Sequence, residues 1–311
     1  MAAPARRDRP APNSRRARRR GSFATFVSNR ALTTKGAKGR EDSGRMYAAL
    51  NHPYCGGATQ AKASMARTDF STPRLCVQSA LASGESLTLS AEQANYLLNV
   101  LRLREGARVL AFNGRDGEFA SSLAPLGKKG AALRIDALLR AQEYPGDIDY
   151  LFAPLKHARL DYVAQKAVEM GVRRLCPVIT RRTQVARVNI ERLRANAQEA
   201  AEQCGVIWLA EIAEAGALTE VLADWPARRV LVFCDEEAPR GNAAATLASR
   251  AAPAAIGLLI GPEGGFDEDE RAMILRAPDV VRLSLGPRIL RADTAAVAAL
   301  ALIQAHWGDW R

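Results

Sequence analysis

From Thr72 onward the apolar and polar positions follow regular periods, whereas residues 1–70 show almost none. Leu75-Cys76-Val77 reads as a short strand. Ser90-Ala91-Glu92 opens a helix, with Ser90 as its cap and Gln93 completing a capping box. Ala94, Leu97, Leu98 and Leu101 then share one side, which carries that helix to about Arg102. Strands are expected at 108–112, 118–124 and 131–138, separated by Asn113-Gly114 and Gly127-Lys128-Lys129-Gly130 turns. The pattern predicts a small β-rich, barrel-like domain over 72–143, with Glu143-Tyr144-Pro145-Gly146-Asp147 as the linker.

Beyond the linker the period changes. Strands are expected at 148–153, 174–179, 208–212, 229–234, 256–260 and 280–285. Helices fall between them at about 158–170, 189–204, 216–224, 241–250 and 267–277, and a last one covers 292–307. Such alternation predicts an α/β domain over 147–311 with a mostly parallel sheet covered on both faces. Ligands of such sheets bind beyond the carboxyl ends of the strands, so the loops after 234, 260 and 285 are the places for a site. The last helix is apolar nearly all round and needs cover on every side, from the core or from a second subunit.

Composition changes this picture in one respect. The 311-residue chain is 48% hydrophobic and 25% charged, an ordinary globular balance, with a net charge of +11. Residues 1–72 carry 15 basic and 4 acidic side chains, while 73–311 carry 29 of each and are neutral. The basic excess belongs to the N-terminal segment, whose Arg runs and lack of periodicity predict disorder. Three readings of that segment stay open: a mitochondrial transit peptide, a basic tail adding RNA affinity, or translation that starts at Met65. Five scattered cysteines (Cys55, Cys76, Cys176, Cys204, Cys234) without C-x-x-C read as reduced thiols in the cytoplasm. With only His52, His157 and His306 no zinc ligand set forms, so no metal is expected. The longest uncharged apolar stretch, Thr294 to Gly308, is shorter than the roughly 20 residues a membrane span needs. The GxGxxG, GxxxxGK[ST] and GxSxG patterns of dinucleotide, triphosphate and serine-hydrolase sites are missing.

The strongest local signal is Leu259-Ile260-Gly261-Pro262-Glu263-Gly264-Gly265-Phe266, a buried strand ending in a turn with three glycines. Asp267 caps the next helix with Glu270 at the capping-box position. A second Gly-Pro turn, Leu285-Gly286-Pro287-Arg288-Ile289-Leu290-Arg291, follows the last strand. Each alone reads equally as a tight strand-to-helix turn. Together they make a narrow cleft lined by backbone, suited to adenine and ribose more than to a triphosphate.

LIGPEGGF and LGPRILRADTA resemble the two hallmark segments of the RsmE-type ribosomal RNA methyltransferases of the SPOUT superfamily. The resemblance extends through Lys156, Arg159, Gln165-Lys166-Ala167, Glu169-Met170-Gly171-Val172, Pro177 and Glu202-Gln203-Cys204-Gly205. It also covers the front domain, from Pro73-Arg74-Leu75 through Val100-Leu101-Arg102 to Phe112-Asn113-Gly114. It implies a PUA-like RNA-binding barrel followed by a SPOUT α/β trefoil-knot domain that binds S-adenosylmethionine and forms a homodimer. The implied activity is methylation of N3 of a uridine in small-subunit (16S) ribosomal RNA, on free RNA or an assembled subunit. A different SPOUT target and a noncatalytic ribosome-assembly factor are the alternatives. Three positions depart from the family pattern: Asp293 for Glu, Val206 for Arg and Tyr96 for His.

N3 of uridine is a weakly acidic imide, and a guanidinium beside its carbonyls favours the deprotonated form. Arg288 or Arg291 is expected in that role, with an ordinary salt bridge as the competing reading. Glu263, Glu202 and Asp293 are candidates for a general base, each reading equally as a structural hydrogen-bond or capping residue, and positioning of N3 in line with the methyl group is the alternative to a base. The cofactor is expected along Gly261, Pro262, Glu263, Gly264, Leu285, Gly286, Ile289 and Leu290, with Asp235 or Glu236 at the ribose. RNA is expected on Arg102, Lys156, Arg159, Lys166, Arg181 and Arg182, each of which reads equally as a solvated surface charge.

Overall fold

A computed structural model describes residues 71–311, apart from Lys128, Lys129 and Ala186. The readings made for residues 1–70, including a start at Met65, lie outside the described residues. The front half is built from β1 (Arg74–Cys76), β2 (Ser86–Thr88), α1 (Ala91–Asn95), β3 (Arg108–Phe112), β4 (Glu118–Leu126) and β5 (Gly130–Arg140). The strands form one sheet in the order β1-β3-β4-β5-β2, antiparallel except where β1 runs parallel to β3. Leu75, Leu97, Val109, Leu123, Leu133 and Ile135 fill its core. The sequence pattern misses β2, because Ser86-Leu87-Thr88 offers one half-buried apolar side chain between two exposed hydroxyls.

The capping box forms as expected: Ser90 accepts from the Gln93 N–H, and Gln93 returns a bond to the Ser90 N–H. The predicted helix to Arg102 does not. α1 ends at Asn95, and Tyr96–Val100 is a π-helical turn. The wider turn still buries Leu97 fully and leaves its carbonyl to accept from Leu103 N–H at 2.9 Å. Arg102 follows at φ +55, the one described non-glycine residue in the left-handed region.

The second half contains β6 (Ile148–Phe152), α2 (His157–Glu169), β7 (Arg174–Ile179), α3 (Ile190–Cys204), β8 (Glu211–Ile212), β9 (Gly216–Ala217), α4 (Leu218–Ala223) and β10 (Val230–Cys234). It continues with α5 (Ala243–Ala248), β11 (Ile256–Ile260), α6 (Glu268–Leu275), β12 (Val280–Leu283) and α7 (Ala292–His306). The sheet is parallel throughout, in the order β12-β10-β11-β6-β7-β8, with β9 pairing the end of β7. Its central strands are apolar runs because both faces are covered. On one face they meet α2, α3 and α7, and on the other α4 and α6. Three expectations are corrected. The strand at 208–212 is only Glu211–Ile212, the helix at 216–224 starts at Leu218 after β9, and the strand at 280–285 stops at Leu283. At 216–217 the chain pairs with Val178 and Ile179 of β7 before the helix begins.

A buried guanidinium joins the halves. Arg74 of β1 lies over the Phe112 ring at 4.6 Å and donates to Glu118 at 2.7 Å. Its other nitrogens reach the end of α3, donating to the carbonyls of Ala201, Glu202 (3.1 Å) and Val206 (2.9 Å). Arg140 of β5 donates to the Gly205 carbonyl at 2.8 Å. The last carbonyls of a helix have no intrahelical donors. Here Arg74 supplies Ala201 and Glu202 in the last turn, and Arg74 and Arg140 hold the carbonyls of Val206 and Gly205 just beyond it, which fixes the front sheet against the back domain.

Candidate active site

Three strand ends meet at one edge of the parallel sheet. β11 and β12 flank β10, so the loops after Cys234, Ile260 and Leu283 are neighbours although far apart in sequence. After β11 the chain turns at Gly261, where a Cβ would stand 2.6 Å from the Phe266 ring. Gly265 N–H donates to the Pro262 carbonyl at 2.9 Å, and Gly265 lies at φ +70, which only glycine adopts without strain. Asp267 then starts α6 with the expected capping box to Glu270. The loop after β12, residues 284–291, turns at Gly286 and leaves Ile289 90% exposed.

These loops enclose a cavity of about 570 Å³. Phe233 and Phe266 meet edge to face at 5.5 Å, and together with Ile260 and Leu283 they give it an apolar lining. Asp235 anchors the charged side. Burial opposes its ionisation, but hydrogen bonds from Arg271, the Glu237 N–H and Arg282 outweigh that and hold its carboxyl below the ordinary range. Burial pushes the Cys234 thiol up to about 12, so it is no nucleophile at neutral pH. Arg159 of α2 pairs with Glu263 and lies 4.0 Å from Asp293. The side chains of Arg240, Arg288 and Arg291 also line the cavity, and among the described residues they have no ion-pair partner.

The expected cofactor residues Gly261, Pro262, Glu263, Leu285, Gly286, Ile289 and Leu290 all line this cavity, as do Arg288, Arg291, Asp235 and Glu236. Gly264 is set back from it and offers its carbonyl to Arg182 at 2.8 Å. Two candidate bases are not brought to it. Glu202 sits at the joint of the two halves, accepting from Cys76 N–H at 2.9 Å, and Asp293 accepts from Thr294 N–H beside the cavity rather than lining it.

Of the expected RNA residues, Arg102 and Lys156 are exposed, and Lys166 pairs with Glu169 at 2.7 Å and lies over the Tyr162 ring. Arg159 is in the cavity, and Arg181 and Arg182 are bound to the glycine turn. Val206 is buried, so its side chain makes no surface for RNA. Sequence reasoning missed Arg240, although the loop that holds it was singled out, and missed Arg271 and Arg282. Pairing of β10 with β12 brings Arg282 to Asp235, and Arg271 reaches the same carboxylate from α6.

Backbone walls, an apolar floor and carboxylates suit a purine nucleoside with a cationic tail. Among the described residues no three His, Cys, Asp or Glu side chains gather to hold a metal ion. No helix among them is long and apolar enough to cross a membrane.

Comparison with known proteins shows the family. The family described as an RNA methyltransferase domain matches residues 142–304, and an RNA methyltransferase PUA domain matches 89–136. The ribosomal RNA small subunit methyltransferase E of Rickettsia conorii is 29% identical over 232 residues, 74% of this chain and 94% of its own. The protein of the same name from Synechocystis is 30% identical over 225 residues, 71% of this chain and 73% of its own. A crystal structure of ribosomal RNA small subunit methyltransferase E from Neisseria gonorrhoeae, bound to S-adenosyl methionine, aligns with a TM-score of 0.70. It is 29% identical and covers 77% of this chain and all of that one.

Proposed function

The chain belongs to the family of ribosomal RNA small subunit methyltransferase E, a PUA domain followed by a SPOUT methyltransferase domain, and from that premise we propose that it methylates N3 of a uridine in small-subunit ribosomal RNA with S-adenosylmethionine as donor. The observation that carries the reading is one cavity closed by both glycine turns and lined by Arg240, Arg288 and Arg291, which among the described residues have no ion-pair partner. When bound, S-adenosylmethionine supplies an electrophilic methyl group. The backbone of Gly261, Pro262, Glu263, Leu285 and Gly286 holds the adenosyl part, and Asp235, fixed by two arginines, keeps Glu236 and Glu237 at the rim. Phe233 and Phe266 keep water from the floor.

Arg288 or Arg291 donates to the uracil carbonyls and favours the imide anion. Glu263 receives the proton only through the carboxylate oxygen that Arg159 does not occupy, or after that pair opens. Arg102, Lys156 and Lys166 make the RNA surface. A second copy of the chain covers Ile289 and the half-buried stripe Val297, Ala298, Ala301 and Leu302 on α7, so the working unit is a homodimer in the cytoplasm.

The test uses labelled S-adenosylmethionine and small subunits from cells lacking this protein, with the digested RNA analysed by mass. 3-Methyluridine supports the reading, and label on another atom refutes the N3 assignment. No label with cofactor still bound favours a binding factor. Arg288→Lys and Arg291→Lys locate the guanidinium: unchanged turnover at saturating cofactor in both removes that role.

A further inference from the structure

The loop after β7 reaches across to the outer side of the glycine turn. Arg182 lays its stem along Gly264, where a Cβ would stand 3.6 Å from its Cβ and Cδ, and donates to the Gly264 carbonyl at 2.8 Å. Its neighbour Arg181 donates from its guanidinium to Asp267 at 2.7 Å and Asp269 at 2.9 Å. The Arg181 backbone N–H donates to Glu270 at 2.8 Å. Glu270 is buried and also accepts from Asp267 N–H, so loop and turn share one carboxylate. Neither arginine lines the cavity. Arg181 faces two carboxylates with one positive charge, which leaves no excess cation for a phosphate.

We infer that Arg182, with Arg181 beside it, is a positioning residue that holds the Gly261–Asp267 turn in its ligand-binding shape, and is not a contact for RNA. The physical reason is preorganisation. Glycine loses more conformational freedom on ordering than any other residue, so a turn with three of them is costly to order. A wall made of that turn binds tightly only if the ordering precedes the ligand. β11 fixes the start of the turn and α6 its end, while Arg159 holds the Glu263 side chain from within the cavity. Gly264 stands at the middle, and among the described residues Arg182 is the one side chain that donates to its carbonyl from outside.

The inference rests on the proposed cofactor, and two readouts keep the two ideas apart. S-adenosylmethionine binding is measured by calorimetry on the full chain, and RNA binding by titration at several salt concentrations. Wild-type protein that binds no S-adenosylmethionine sinks the proposed function. With wild-type binding in hand, Arg182→Met keeps the stem and removes the donor, and is expected to weaken the cofactor about fivefold, ~1 kcal/mol. Arg182→Lys keeps a donor and is expected within about twofold of wild type, since one charge-assisted bond survives. RNA affinity and its salt slope stay at wild-type values in both. Equal cofactor affinity in wild type and R182M overturns the brace. So does a salt slope reduced by about one unit, the signature of a lost phosphate contact, whatever the cofactor does. If R182M proves unstable without ligand, R182K decides: a fivefold loss despite the retained charge overturns the inference, and near wild-type affinity supports it.

Discussion

Replacing Arg74 by alanine tests the joint between the two halves. Arg74 is buried, and so is its partner Glu118, only 2% exposed. Removing the guanidinium leaves Glu118 with Arg140 at 3.7 Å as its nearest cation, and strips donors from two carbonyls in the last turn of α3 and one just beyond it. Breaking one side of a buried ion pair costs about 3–5 kcal/mol. The orphaned carbonyls add up to about 1–3 kcal/mol each where water cannot reach them. Water entering the space left by the side chain relieves part of this, so the whole change is placed at ~4 kcal/mol. At roughly 2–4 °C per kcal/mol for a folded part of this size, melting falls by about 8–16 °C. Thermal and denaturant unfolding read the loss. The double variant Arg74→Met with Glu118→Leu removes both charges and keeps apolar volume, so it recovers much of the stability. Cofactor affinity in the surviving folded fraction stays unchanged, because the pair lies outside the cavity. A loss below about 1 kcal/mol, or a double variant no better than the single, refutes the assignment of the joint to this pair.

Three further outcomes are expected. Glu202 lies at the same joint, where burial pushes its carboxyl above the ordinary range against the pull of the Cys76 N–H bond. Its stabilising effect is therefore complete below the ordinary carboxylate pKa and is lost as pH rises through the elevated value. Glu202→Gln should match wild-type stability in acid and exceed it at pH 7 in denaturant titrations, and equal stability at pH 7 would contradict this. Arg102→Gly relieves a left-handed residue and should stabilise by about 1 kcal/mol while the salt slope of RNA binding drops by roughly one. Gly261→Ala puts a methyl group 2.6 Å from the Phe266 ring, so the turn must shift. A drop in cofactor affinity of at least about tenfold, seen by calorimetry, is expected.

The site was legible because its signal is local. Gly-Pro turns after apolar strands, followed by an Asp267-x-x-Glu270 cap, are read within a few residues, and strand-helix alternation places both turns at one sheet edge. The switch at Asn95 from α- to π-helical turn left no mark in the apolar spacing, since Leu97 is buried in either geometry. The Arg74 joint was invisible for a different reason. Its partners lie 44 to 132 residues away, and an arginine in a strand looks the same whether it meets water or a helix end. Glu202 was misplaced for that reason too: its neighbours in sequence suggested chemistry, while its neighbours in space are Cys76 and Arg74.

The fate of the arginines decides what kind of RNA binding the folded part supports. Residues 73–311 are electrically neutral. Within them Arg74, Arg181, Arg192, Arg229, Arg250, Arg271 and Arg282 are each held by a carboxylate of the same chain. Such pairs give the fold its internal order and add little to an outward field. Long-range attraction of a polyanion needs unpaired charge; among the described residues Arg240, Arg288 and Arg291 carry it at the cavity, and Arg102 and Lys156 carry it on the exposed surface outside. A cation at the site of reaction contributes most when the nucleotide is already in place. With those five cations engaged at about 0.7 units each on a single strand, the RNA affinity of residues 73–311 on a short oligonucleotide should be weak and its salt slope shallow, at about four units or fewer. A steep slope on such a fragment would mean that the ion pairs open to receive phosphate. A shallow one assigns recognition to the shape of a folded ribosomal particle.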